Sequence, residues 1–167
     1  MGAIVVISGP VGAGKTTVAK ALADTAPPPA AFVEGDDFWF MLVKPDRPRH
    51  ANFPIVMRAM FRAAAAMAAG GYEAILDFSM PPAFLKAAAV RVDDPVHLVV
   101  LKPTLEVCAA RAANRAEGVI ADYAPYRELY EMFDAEARHV IQNDDAPAAD
   151  VAAAIREGLT ADRFRFA

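Results

Sequence analysis

Two hydrophobic periods alternate along this chain, and the switches between them lay out its elements. Short apolar runs of strand length stand at 3–8 (opening Ala3-Ile4-Val5-Val6-Ile7), 31–34, 73–78, 96–101 and 139–142. Between them lie longer stretches in which apolar residues recur every three or four positions, the helical spacing. These predict helices over 14–24, 53–69, 81–89, 104–116, 125–138 and 147–159. Val56, Met60, Ala63 and Met67 form one such face, and Leu105, Cys108 and Ala112 a second. Tyr126, Tyr130, Phe133 and Ala137 make a third, and Val151, Ile155 and Leu159 a fourth. Pro125 and Pro147 stand at helix starts, where a missing N–H costs nothing, and Gly70-Gly71 closes a helix. Leu98-Val99-Val100-Leu101 is apolar without a break, as in a strand covered on both faces. The alternation predicts an α/β fold: three α/β/α layers around a five-stranded parallel sheet, with ligands at the carboxyl ends of the strands.

Composition narrows the function classes. At 167 residues the expectation is a single domain over 1–167. With 17 basic and 21 acidic residues the net charge is −4, which argues against a protein that coats nucleic acid. No apolar run reaches the roughly 18 residues of a membrane span. The chain opens directly into a strand pattern without the basic segment of a signal peptide, and Val6 stands where a myristoylation motif needs Ser or Thr. One cysteine, Cys108, cannot pair internally, and with three histidines it does not suggest a zinc cage. The expectation is a cytoplasmic protein with neither nucleic-acid nor membrane partners.

The chemistry enters after the first strand. Gly9-Pro10-Val11-Gly12-Ala13-Gly14-Lys15-Thr16, followed by Thr17, satisfies G-x-x-x-x-G-K-[ST] between a strand pattern and a helix pattern. Glycines let successive backbone N–H groups turn inward around phosphates, and the helix N-terminus adds its positive dipole. Lys15 then reaches the β- and γ-phosphates, and the Thr16 hydroxyl coordinates Mg²⁺. The bound group is ATP, or GTP through the same contacts. A P-loop NTPase fold follows.

Two further groups of residues invite chemistry. Glu34-Gly35-Asp36-Asp37 places three acids in four positions after an apolar strand, costly unless a cation or a hydroxyl uses them. In extended chain Glu34 and Asp36 would share a face. Asp77 ends the third strand, the pattern of an acid that holds the Mg²⁺ shell, although strands also end in Asp as a helix cap. Lys44, Arg47, Arg49, Arg58 and Arg62 face a single acid, Asp46, in the most basic stretch of the chain. Arg58 stands about 200° around its helix from Val56, away from the core face. It is a candidate, with Arg47 or Arg49, for an anionic acceptor, and Asn52 for orienting a hydroxyl; a solvated helix face is the alternative.

With its phosphate loop near residue 9 and its short length, the chain resembles the small P-loop kinases that phosphorylate metabolites: gluconate kinase, shikimate kinase and chloramphenicol phosphotransferase. The resemblance implies an acceptor region at about 36–70 and a short lid at about 115–124. It implies that of the acidic pair Glu34 and Asp36 one serves the metal shell and the other, Asp36 in the first instance, deprotonates the attacking hydroxyl, with Asp37 in reserve. Which of Glu34, Asp36, Asp37 and Asp77 is base and which holds metal stays open in the sequence. A His-Pro step of gluconate kinases is replaced here by Trp39-Phe40, which counts against gluconate itself. Arg111 and Arg115, four apart on one predicted helix before the lid, match a pair that clamps the transferring phosphate. Asn143 to Pro147 resembles the loop that touches the base. The implied function is an ATP- and Mg²⁺-dependent phosphotransferase acting on a hydroxyl of a small molecule. A nucleoside or nucleotide kinase, or a nucleotide-binding switch without an acceptor, are the other readings.

Overall fold

Strict alternation in the central strands decides the layering. In the computed structural model, which describes residues 2–89, 92–116 and 118–166 (side chains of residues 49, 50 and 88 apart), β1 spans Ala3–Ser8. Its Ile4 and Val6 point into one core cluster, and Val5 and Ile7 into another on the opposite face. The other strands are β2 (Ala30–Glu34), β3 (Glu73–Asp77), β4 (Val96–Leu101) and β5 (Val140–Ile141). They form one sheet in the order β2-β3-β1-β4-β5, with every neighbouring pair parallel. Helices α1 (Lys15–Asp24) and α7 (Ala148–Thr160) cover one face through Val18, Leu22, Val151 and Ile155. Helices α3 (Phe53–Ala69) and α4 (Pro82–Ala89) cover the other through Met60, Phe61, Ala64 and Leu85. The expected five-stranded parallel sheet within three layers is the observed fold.

Several predicted elements change in extent. The helix expected over 104–116 is α5, Leu105–Ala113: Thr104 caps its start and Asn114 closes it by donating a side-chain N–H to the Ala110 carbonyl. Arg115 therefore lies beyond the helix, not on a shared face with Arg111. The helix expected over 125–138 shrinks to a 3₁₀ turn at Ala124–Tyr126 and to α6, Arg127–Glu131. Beyond it Phe133 and Asp134 bond three residues back, to Tyr130 and Glu131, as Phe133 turns fully into the core. A short helix, α2 (Asp37–Phe40), and a 3₁₀ turn at Arg49–Asn52 have no counterpart in the sequence reading.

After α7 the chain turns through Asp162 and runs back along β4. Leu98 N–H donates to the Phe164 carbonyl, Phe166 N–H donates to the Val96 carbonyl, and Phe164 is fully buried against Gly158. The half of β4 that β5 leaves unpaired is thereby closed. No described helix is long and apolar enough to cross a membrane.

Candidate active site

The carboxyl ends of β1, β3 and β2 converge on one place. From β1 the chain enters the loop Gly9 to Gly14, and the sequence requires glycine there for two different reasons. Gly12 has φ +83, and a Cβ on it would fall 2.2 Å from the Cys108 carbonyl of α5. Gly14 has the same φ, but a Cβ there would meet only ordinary contacts, with the Asn143 amide nitrogen at 3.9 Å and an Arg111 guanidinium nitrogen at 4.0 Å, so it is its left-handed conformation, at the cap of α1, that excludes other residues. Helix α1 then begins with no side-chain cap and no acid in its first turn, which leaves its N-terminal dipole uncompensated.

Lys15 lines a 390 Å³ recess together with Gly12, Gly14, Thr16, Arg111, Arg115 and Asn143. Its ammonium donates to the Pro10 carbonyl at 3.0 Å. Burial pushes its pKa below the usual lysine value, and the charges of Asp77 and Asp36 pull it back up. A half-buried ammonium beside a glycine cradle suits an anion. Asp77, at the end of β3, is buried and accepts a hydrogen bond from the Thr16 hydroxyl. Burial raises its pKa, opposed by that hydrogen bond and by Lys15. Among the described residues no three His, Cys, Asp or Glu side chains form a metal cage. A hydroxyl beside a single carboxylate suits an ion such as magnesium, which keeps phosphate oxygens and water in most of its shell.

The acids after β2 are arranged otherwise than the extended-chain reading expected. Glu34 pairs with Asp77 in the strand register and its carboxylate lies 3.5 Å from the Lys20 ammonium of α1. At Gly35 the chain turns: its N–H donates to the Asp77 carbonyl at 2.8 Å, and a Cβ there would fall 2.6 Å from the Phe78 ring. Asp36 has helical dihedrals and leads into α2, so Glu34 and Asp36 do not share an extended face. Asp36 and Asp37 are both exposed, and Asp36 is near enough to Lys15 and Asp77 to act on both charges.

Other expected residues are distributed as follows. Arg111 donates to the carbonyls of Asn143 (2.9 Å) and Asp144 (2.6 Å), which ties α5 to the loop after β5. Asn52 is buried, and its amide donates to the carbonyls of Arg47 and Pro48, so those hydrogens brace the turn before α3. Arg58 is exposed on α3 and lines a 590 Å³ furrow between α3 and α4. Arg47 bonds the adjacent Asp46, and the side chain of Arg49 lies outside the described residues. Phe38 and Trp39 pack against the core, while Phe40 is 81% exposed. Cys108 is buried with its thiol pushed up to about 11 by burial, a packing residue.

Two contacts at the loop escaped the sequence reading. Tyr123 donates its hydroxyl to the Val11 carbonyl at 2.6 Å, and Asn143 donates its amide to the Ala13 carbonyl at 2.9 Å. They join residues 112 and 130 positions apart, for which a single sequence holds no local signal.

A family model for the AAA domain matches residues 4–135 of the chain. The chain belongs to the AAA domain family. No curated protein matches it significantly. Among solved structures, this AAA domain protein resembles the tunicamycin resistance protein of Deinococcus radiodurans at 19% identity, covering 95% of this chain and 96% of that chain with a TM-score of 0.76. It resembles the APS kinase of Mycobacterium tuberculosis, solved with AMPPNP and APS, at 17% identity, covering 95% and 98% with a TM-score of 0.72. A gluconokinase from Sinorhizobium meliloti 1021 is similar at 16% identity, covering 96% and 93% with a TM-score of 0.70. The AAA domain chain thus has the fold of the small P-loop kinases.

Proposed function

We propose that the protein is an ATP- and Mg²⁺-dependent phosphotransferase that acts on a hydroxyl of a small, anionic acceptor. The observation that supports this most strongly is that two carboxylates, Asp77 at the end of β3 and Asp36 in the turn after β2, both act on the charge of Lys15 in the phosphate loop. A nucleotide-binding switch has no need of the second, exposed carboxylate. In this reading the loop N–H groups and Lys15 hold the β- and γ-phosphates, and Thr16, kept in place by Asp77, ligates the metal. Mg²⁺, when bound, neutralises charge on the phosphates. Glu34, tied to Lys20, supports the metal side of the site from β2. Asp36 accepts the proton of the attacking hydroxyl, with Asp37 beside it. Arg115 and the remaining donors of Arg111 stabilise charge on the transferring group. Arg58 receives the anionic group of the acceptor. The lid region at about 115–124, of which residue 117 lies outside the described residues, borders the phosphate loop through the Tyr123 hydroxyl. The APS kinase structure, solved with a nucleotide and APS, supports an anionic acceptor by analogy of fold alone.

The test is a screen of anionic and neutral hydroxyl compounds with [γ-³²P]ATP, run on the parent protein and on Lys15→Ala. Label transfer to an anionic acceptor is expected from the parent, with no transfer and weakened nucleotide binding in the variant. A Lys15→Ala protein that transfers label like the parent would sink the assignment.

A further inference from the structure

The 590 Å³ furrow between α3 and α4 lies outside the phosphate site, and its size is that of a small-molecule pocket. Its wall is apolar, with Met57, Phe61, Met80 and Phe84 facing it. Its depth comes from α3, where Ala65, Ala66 and Ala69 line it and, among the described residues, no larger side chain fills the gap towards α4. From Pro54 to Ala69 the helix rises about 22 Å, so the furrow runs the height of the sheet.

The two ends differ in place and in charge. The upper end adjoins the active site. Met80 donates its N–H to the Ser8 hydroxyl, which in turn donates to the Met80 carbonyl, and Ser8 is the last residue of β1 before the phosphate loop. The α3 end is joined to the acid turn by rings: Trp39 lies 6.2 Å from Phe53, and Phe53 lies 5.6 Å from Phe78 and 6.0 Å from Phe84. Arg58 and Arg62 line this half, and neither has an ion-pair partner among the described residues. The lower end is marked by Asp93 and Asp94, just before Pro95, whose carbonyl accepts from Ile4 N–H at the start of β1.

We infer that the furrow holds the apolar tail of the acceptor. The acceptor is then an amphiphile, with a hydroxyl and an anionic group at one end and a long hydrocarbon or aromatic body at the other. Among the described lining residues the charges set its direction: Arg58 and Arg62 attract the anionic head and offset the exposed Asp36 and Asp37 above them, whereas the lower end carries Asp93 and Asp94. A bare polyol is disfavoured, because Met57, Phe61 and Phe84 would leave its hydroxyls without partners. A second copy of the chain would need a face of about 800 Å² per partner, whereas a furrow of this volume fits a narrow tail. This inference rests on the proposed phosphotransferase reading and specifies its acceptor.

The experiment uses N-acyl-L-serines, which carry a hydroxyl, a carboxylate and a tail of chosen length. Binding of the N-acetyl, N-hexanoyl and N-decanoyl compounds is measured by calorimetry below their micelle-forming concentrations, and label transfer from ATP is followed separately. Affinity should rise about two- to fourfold per added methylene until the furrow is full, as burial of hydrocarbon predicts. Ala66→Trp and Ala69→Trp, which place an indole in the furrow from exposed helix positions, should flatten the series. Arg58→Ala should weaken all members by a similar factor. Affinity independent of chain length, or a gain that persists in both Trp variants, would overturn the inference. So would a stable dimer in sedimentation that Arg62→Glu dissociates, since the furrow would then belong to a second copy. Lys15→Ala separates the two readings, because it should abolish transfer yet keep the chain-length series. Transfer to N-acetylserine with no chain-length effect would remove the tail site and leave the phosphotransferase reading standing.

Discussion

At the scale of single residues, the site depends on groups whose charge is costly where they stand. Lys15 and Asp77 are each shifted towards neutrality by burial, and each is held back by the other. Such a pair is stable only if it keeps its partners or gains a ligand. Asp36 differs, being exposed and free to meet an incoming hydroxyl. Asp36→Asn keeps the shape and removes the proton acceptor. It should leave nucleotide affinity near the parent value and slow transfer roughly 10²–10⁴-fold, the usual worth of general-base help. Single-turnover transfer measured beside nucleotide titration checks both halves. Unchanged transfer would pass the base role to Asp37, and lost nucleotide binding would make Asp36 a metal-side residue.

At the scale of elements, the phosphate loop is braced from outside its own motif. Cys108, Ala112 and Tyr123 form a small cluster with Val11, Ile120 and Tyr126, and the Ile120 N–H donates to the Ala112 carbonyl. The segment expected as a lid is therefore anchored to α5 at one point and to the loop at another, through the Tyr123 hydroxyl. Tyr123→Phe retains the ring and deletes that bond, worth about 1 kcal/mol. The KM for ATP should rise several-fold while the KM for the acceptor stays level, in steady-state assays that vary each substrate in turn. An unchanged KM for ATP would show that the hydroxyl braces nothing the nucleotide uses. Element boundaries were harder to read than element types. α5 stops at Ala113 because the Asn114 side chain closes it, and α6 is short because Phe133 is drawn into the core. Both decisions belong to packing, which local periodicity does not carry.

At the scale of the whole molecule, the segment after α7 completes the sheet. Phe164 fills a fully buried position over Gly158, and its carbonyl accepts from β4. Arg163 adds bonds to the carbonyls of Arg138 and Val140, so the approach to β5 hangs on the same segment. Phe164→Ala should cost about 3–5 kcal/mol of unfolding free energy, the range for removing a buried phenylalanine. Urea unfolding followed by circular dichroism measures this. A loss under about 1 kcal/mol would mean that the terminal segment is not part of the cooperative unit.

The sequence by itself determined the layered parallel sheet, because two-residue and 3.6-residue periods leave few other ways to bury Ile4 to Ile7 and Val96 to Leu101 on both faces. It also determined the phosphate loop, since a glycine-rich turn between strand and helix depends on local geometry alone. Tertiary structure decided the rest. It turned the chain at Gly35 against Phe78, which separated Glu34 from Asp36. It drew the amide hydrogens of Asn52 and two donors of Arg111 onto nearby carbonyls, and it brought Tyr123 and Asn143 to the loop from over a hundred residues away. The physical reason is one of range: backbone dihedrals and side-chain periodicity act over a few residues, whereas which polar group meets which carbonyl is fixed only when distant elements pack.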